Sequence, residues 1–160
     1  MLFTGQYRRT IDVKNRIQIP APLRAEMGSE GETVVLYVVP GERANTLSIF
    51  TRSSFLDQVE RISSGSINSP DVLDFELYYA LAERVELDKQ GRMVLPETSL
   101  SRVQLSKDIV LAGQHTRIDI WKAEQFDECI RTRFDSRWPA LQRFVRGGGR
   151  PADGGQTDEH

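Results

Sequence analysis

The sequence predicts a β-rich α+β protein built from two tandem copies of one small unit, with helices flanking the strands, and three observations carry that prediction. First, Asp12-Val13-Lys14-Asn15-Arg16-Ile17-Gln18-Ile19-Pro20 is echoed 76 residues later by Asp88-Lys89-Gln90-Gly91-Arg92-Met93-Val94-Leu95-Pro96, and self-similarity at a fixed offset is the mark of a repeated architecture. Second, each copy is followed by an apolar run that reads as a buried strand, Thr33–Val39 in the first and Asp108–Gly113 in the second. Third, each run leads to a short alternating segment, Leu47-Ser48-Ile49-Phe50 and Ile118-Asp119-Ile120-Trp121, whose period of two suits a half-buried strand.

Helices complete each copy. In the first, Ser54 and Asp57 have capping-box-like spacing, and Phe55, Val59 and Ile62 share a face; in the second, Phe126, Ile130 and Phe134 do so. The units are therefore expected over 5–62 and 81–146. Between them, in 63–80, the polar run from Ser63 to Asn68 reads as a loop. Ser69-Pro70 then opens a connecting helix, with serine as its cap, proline in its first turn and an apolar stripe of Leu73, Leu77, Tyr78 and Leu81. Residues 147–160 are glycine-rich, so burial cannot offset the entropy of ordering them, and a disordered tail is expected.

Composition excludes several classes. With 39% hydrophobic and 28% charged residues, the 160-residue chain can bury a core unaided, as one domain or two small ones. Cys129 is the single cysteine, and only His115 and His160 accompany it, so neither an internal disulfide nor a zinc site is expected. No segment suits a signal peptide or a membrane span, which predicts a cytoplasmic protein with no membrane partner. The formal net charge of −2 means that any nucleic-acid face must be local.

The repeated turn is the candidate site. Each copy brackets a tight turn with an Asp and an Arg four residues apart, Asp12 with Arg16 and Asp88 with Arg92. One reading is structural: the carboxylate accepts turn amides and the guanidinium pairs with it. Gly91 suits a positive φ, and Asn15 is among the few side chains that tolerate one. The other reading rests on charge. Over residues 5–24, Arg8, Arg9, Lys14, Arg16 and Arg24 oppose Asp12 alone, a net of +4, whereas Arg84, Lys89 and Arg92 balance Glu83, Glu86 and Asp88 over 83–96. Guanidinium groups grip phosphate and address guanine in the major groove, where a two-stranded β-ribbon fits. A solvated basic face is the plainer alternative.

The doubled motif, together with Gly5-Gln6-Tyr7-Arg8, Pro22-Leu23-Arg24, Val85-Glu86-Leu87 and Ile120-Trp121, resembles the MraZ family of bacterial regulators, a tandem pair of AbrB-like (SpoVT/AbrB) units, over nearly the whole chain before the tail. The resemblance implies a pseudo-symmetric, barrel-like β core. It also implies a ring-like homo-oligomer bound to repeated promoter DNA near cell-division and cell-wall genes, and hence nucleoid association. By motif position it makes Arg16, Asp12 and Lys14 the DNA-facing residues of the first half, and Arg92 and Asp88 those of the second; Arg8 and Arg24 join them on charge alone. Asn15 departs from the family pattern, which has glycine there. The alternative is an oligomeric interaction scaffold of the same fold without DNA affinity.

No cofactor, small-molecule substrate or enzymatic role is expected, because the sequence has no GxSxG, P-loop, HExxH or paired-cysteine signal. His115 is expected in a solvated hairpin loop and Cys129 as a small buried hydrophobe. The stripe Phe126, Ile130, Phe134, Trp138 and Leu141 exceeds what one short unit needs for its own core, which leaves intrachain packing and a subunit interface both open.

Overall fold

The computed structural model of the chain describes residues 1–28, 31–64 and 69–147; of the loop expected over Ser63–Asn68, Ser63 and Ser64 instead end a helix and the rest lies outside the described residues, as does the expected tail beyond Gly147. The two copies fold in the same order. The first runs β1 (Gln6–Thr10), β2 (Arg16–Gln18), α1 (Ala21–Ala25), β3 (Val35–Pro40), β4 (Leu47–Thr51) and α2 (Arg52–Ser64). After the connecting helix α3 (Ser69–Leu81), the second runs β5 (Glu83–Glu86), β6 (Arg92–Val94), α4 (Glu97–Leu100), β7 (Asp108–Gly113), β8 (Ile118–Lys122) and α5 (Ala123–Cys129). A π-helical turn, Ile130–Phe134, leads into α6 (Asp135–Val145). The chain divides into two compact units, Met1–Glu124 and Gln125 onward.

In the first unit the two copies share their strands. The six-stranded antiparallel sheet has the order β1-β7-β8-β4-β3-β5, and β2 pairs with β6 as a separate two-stranded ribbon. The first strand of each copy thus pairs with the third strand of the other, while the second strands pair together, as do the fourth. The register obeys an approximate two-fold: Tyr7↔Leu111 is matched by Glu83↔Val38, Arg16↔Val94 by Arg92↔Gln18, and Leu47↔Ile120 by Ile118↔Ile49. The axis crosses the pairs Ile17↔Met93 and Ser48↔Asp119. The ribbon strands follow directly from β1 and β5, the end strands of the sheet, and so tie its two ends together.

One core results. Ile17 and Ile19 join their counterparts Met93 and Leu95, along with Leu36, Val38, Leu47, Ile49, Ile109, Leu111, Ile118 and Ile120, in a single buried cluster. The expectation that Leu47–Phe50 and Ile118–Trp121 form half-buried strands is corrected: their polar residues are buried as well. These strands are central in the sheet, and Ser48 and Phe50 line a cavity with Gln58 of α2 and Tyr78 of α3. A polar group buried there needs a partner; Ser48 donates to Asp119 at 2.7 Å, and Arg117 Nε donates to the same carboxylate oxygen at 2.9 Å.

The cap of α2 also differs from the expectation. Thr51 Oγ1 accepts the backbone N–H of Ser54 at 3.2 Å, so Thr51 is the cap and Ser54 the third helical residue. The face formed by Phe55, Val59 and Ile62 is half-buried as expected, with Phe55 stacked on Tyr37 at 5.2 Å.

In the second unit Ile130, Phe134, Trp138 and Leu141 are exposed and recur at helical spacing, with Phe144 and Val145 beyond them. The rings of Phe134 and Trp138 stack at 5.2 Å. Pro139 lies four residues after Asp135, where the π turn ends, and cannot donate to that residue's carbonyl. Cys129 is half-buried rather than buried.

Candidate nucleic-acid interface

The repeated turn is built by its aspartate. Asp12 Oδ1 accepts the backbone N–H of Lys14 and of Arg16, each at 2.9 Å, and Oδ2 accepts Arg16 Nε at 2.7 Å. Asp88 does the same with Gln90 at 2.8 Å, Arg92 N–H at 2.9 Å and Arg92 Nε at 2.9 Å. Backbone bonds close both turns, Asp12 N–H to the Arg16 carbonyl at 3.0 Å and Asp88 N–H to the Arg92 carbonyl at 2.9 Å. Backbone amides donated by Arg16 and Arg92 hold the carboxyls of Asp12 and Asp88 below the ordinary value of 3.8, against an opposing push from desolvation. The structural reading of the Asp–Arg pair is therefore correct, but it does not exhaust the arginines.

Each guanidinium is tied through Nε, and the Nη atoms of Arg16 and Arg92 have no partner among the described residues. An arginine oriented this way presents its planar outer edge, with two parallel donors, to whatever lies beyond the turn. The side chains of Arg16 and Arg92 are 29% and 31% exposed, so both edges reach solvent.

The ribbon brings the two edges to one surface. Directly paired residues of an antiparallel ladder lie on the same side, and successive residues alternate. Because Ile17 and Met93 turn inward at 1% exposure, Arg16, Gln18, Arg92 and Val94 must share the outer face. The turns stand at opposite ends of this three-residue ribbon, separated by roughly 10 Å of strand. Gln18 Nε2 bridges toward the second turn by donating to the Gln90 carbonyl at 2.8 Å. Sequence reasoning missed Gln18 and Val94, although alternation about the inward Ile17 and Met93 would have found them. It also passed over Val13, fully exposed on the first turn, and Val94 is 53% exposed.

The remaining cations disperse. Lys14 is exposed on the first turn, and Arg8 is exposed on β1, four strand residues or about 13 Å before Asp12. Arg24 is not beside Arg16: it lies across Gly91 of the second turn, where an added Cβ would overlap its side chain. The +4 segment is thus not one patch.

The reason is reciprocal docking. Ile19 N–H donates to the Gly91 carbonyl at 2.9 Å and Leu95 N–H to the Asn15 carbonyl at 2.7 Å, so the helix after each motif is delivered to the other copy's turn. Leu100 holds the position equivalent to Arg24 and lines a cavity with Asn15. Asn15 and Gly91 both adopt positive φ, 59° and 75°, as their residue types suggest. Against Leu100 an asparagine has room; at Gly91 an added Cβ would have to displace the Arg24 side chain.

Among the described residues no group of three or more His, Cys, Asp or Glu could hold a metal ion, and no helix is long and apolar enough to cross a membrane. His115 is exposed in the β7–β8 hairpin, as expected.

Comparison with known proteins places the chain in a family. The model of the family described as "MraZ protein, putative antitoxin-like" matches residues 2–74 and 79–146. A transcriptional regulator MraZ of Moorella thermoacetica is 30% identical over 145 residues, covering 90% of this chain and 97% of the relative. The protein of the same name from Carboxydothermus hydrogenoformans is 32% identical over 124 residues, covering 77% and 82%, and that of Mycoplasmopsis pulmonis 29% over 128 residues, covering 79% and 83%.

Proposed function

The chain belongs to the MraZ family of transcriptional regulators, and from that premise we propose that it is a sequence-specific DNA-binding regulator that reads promoter DNA with the outer face of the β2–β6 ribbon. The observation that carries this reading is the pair of guanidiniums, each clamped by its own aspartate through Nε and leaving its Nη edge outward. That edge matches guanine O6 and N7, and the groove that displays them is about 12 Å wide, enough for a two-stranded ribbon. Arg16 and Arg92 make the base contacts, Asp12 and Asp88 position them, and Lys14 supplies charge at the first turn. Arg8 adds charge from β1.

A three-residue ribbon is a small footprint. Affinity therefore comes from several subunits, arranged as a ring, engaging successive short repeats near cell-division and cell-wall genes; linkage raises the effective concentration of every turn after the first. The exposed apolar stripe of α6 suits a contact between copies. Such a protein works at the nucleoid in the cytoplasm.

A gel-shift titration against promoter fragments carrying one, two, three or four repeats tests the reading. Affinity should climb steeply with repeat number, and indifference to it would argue against assembly on repeats. Sequencing the genomic fragments retained by the protein, with Arg16→Ala as control, identifies the site; equal enrichment in the control would remove Arg16 from it.

A further inference from the structure

We propose that Arg24 and Lys89 form a phosphate-binding site beside the second turn, present once in each chain. The proposal deepens the DNA-binding reading and rests on it for the identity of the ligand, a backbone phosphate of the duplex.

Five observations converge. Arg24 has no carboxylate or carbonyl partner among the described residues, whereas Arg16, Arg84, Arg92 and Arg117 all have acidic partners. Its Nε is buried with no acceptor among the described residues. A cationic group that loses water with no internal compensation is destabilised until an anion meets it. Arg24 lines an open depression of about 730 Å³ that Lys89 also lines, so two cationic residues border one space. Two acidic residues line the same depression: both oxygens of Asp88 are already occupied by Gln90 and Arg92, and Glu32 is exposed and makes no ion pair with Arg24. Finally, Gly91 lacks the Cβ that would displace Arg24 from this position.

The site is asymmetric in an otherwise two-fold core, because the residue equivalent to Arg24 is Leu100. Turn one carries its own cation, Lys14. Turn two borrows a second one from the opposite half, because Arg24 packs over Gly91, the residue before Arg92. A phosphate there would fix the second turn against the backbone, since phosphate contacts position while base contacts specify.

Neutralising one phosphate contact lowers the slope of log K against log salt by about 0.9 for each subunit engaged. The test measures that slope by fluorescence anisotropy for wild type, Arg24→Gln, Lys89→Gln and Arg24→Lys. It uses promoter duplex and an unrelated duplex of equal length. The expected result is a shallower slope for both glutamine variants and parallel losses on both duplexes, with Arg24→Lys retaining most of the wild-type slope. Unchanged slopes in folded variants overturn the proposal, as does a loss confined to the promoter duplex.

A second arm follows the Arg24 Nε–Hε resonance by NMR during titration with pyrophosphate and with duplex. Movement with duplex and not with pyrophosphate supports a DNA phosphate. Movement with pyrophosphate in a protein that fails to bind DNA preserves the anion site while refuting the DNA-binding reading. No movement with either ligand overturns the site.

Discussion

Replacing Arg16 with alanine separates base reading from general attraction to DNA. The two Nη donors of Arg16 are unengaged among the described residues, and a bidentate arginine–guanine contact discriminates by about 1–3 kcal/mol, which is roughly 5- to 150-fold in affinity per engaged subunit. The turn itself should survive. Asp12 still accepts from the amides of residues 14 and 16, and the backbone bonds from Asp12 N–H and Asn15 N–H remain. Circular dichroism and thermal melting should therefore stay close to wild type. Anisotropy titrations at fixed salt should show affinity for promoter repeats falling by at least fivefold, while affinity for an unrelated duplex falls much less. Losses of equal size on both duplexes would mean that Arg16 meets phosphate, and the base-reading argument would fail. Unchanged affinity on both would remove the first turn from the interface altogether. Arg92→Ala should behave the same way, because its clamp repeats that of Arg16.

Three other perturbations probe different parts of the structure. Asp12 and Asp88 carry depressed pKa values, so their support for the turns is present above 3.8 and is lost as pH falls through those lower values; melting temperature should drop below pH 3.8 in wild type and drop less in an Asp12→Asn/Asp88→Asn double variant. Gly91→Asn keeps a residue that tolerates φ of 75° and its Cβ meets only the movable Arg24 side chain, so in chemical denaturation it should cost less than ~1 kcal/mol while displacing Arg24, and Asn15→Gly should likewise change stability by less than ~1 kcal/mol. Phe134→Asp with Leu141→Asp should reduce the mass measured by light scattering if the α6 stripe joins copies, with little change in melting temperature; an unchanged oligomer would assign assembly to another surface.

What could be read from the residues was local chemistry. The turn needs an aspartate whose carboxylate reaches the amides two and four residues ahead, a residue that accepts positive φ, and an arginine to close the clamp. All three requirements lie within five consecutive positions, so both turns and their left-handed Asn15 and Gly91 were legible. The inward Ile17 and Met93 follow from a period of two, and the order of strands follows from the repeated apolar runs.

The exchange of strands between copies was not legible, because β1–β7 and β3–β5 pairing depends on contacts far apart in sequence. Two expectations went astray for that reason. Leu47–Phe50 alternates like a surface strand, yet its central position in the sheet buries Ser48 against Asp119. Summing charges over 5–24 treated neighbours in sequence as neighbours in space. The swap sends α1 across the ribbon, and Arg24 leaves the copy that encodes it to stand over the second turn. The second copy is neutral by its own residues over 83–96, and with this borrowed arginine it presents cationic groups as the first does. The asymmetry between the copies therefore lies in how each is armed: turn one through Lys14, which it encodes, and turn two through Lys89 and a side chain delivered by its neighbour.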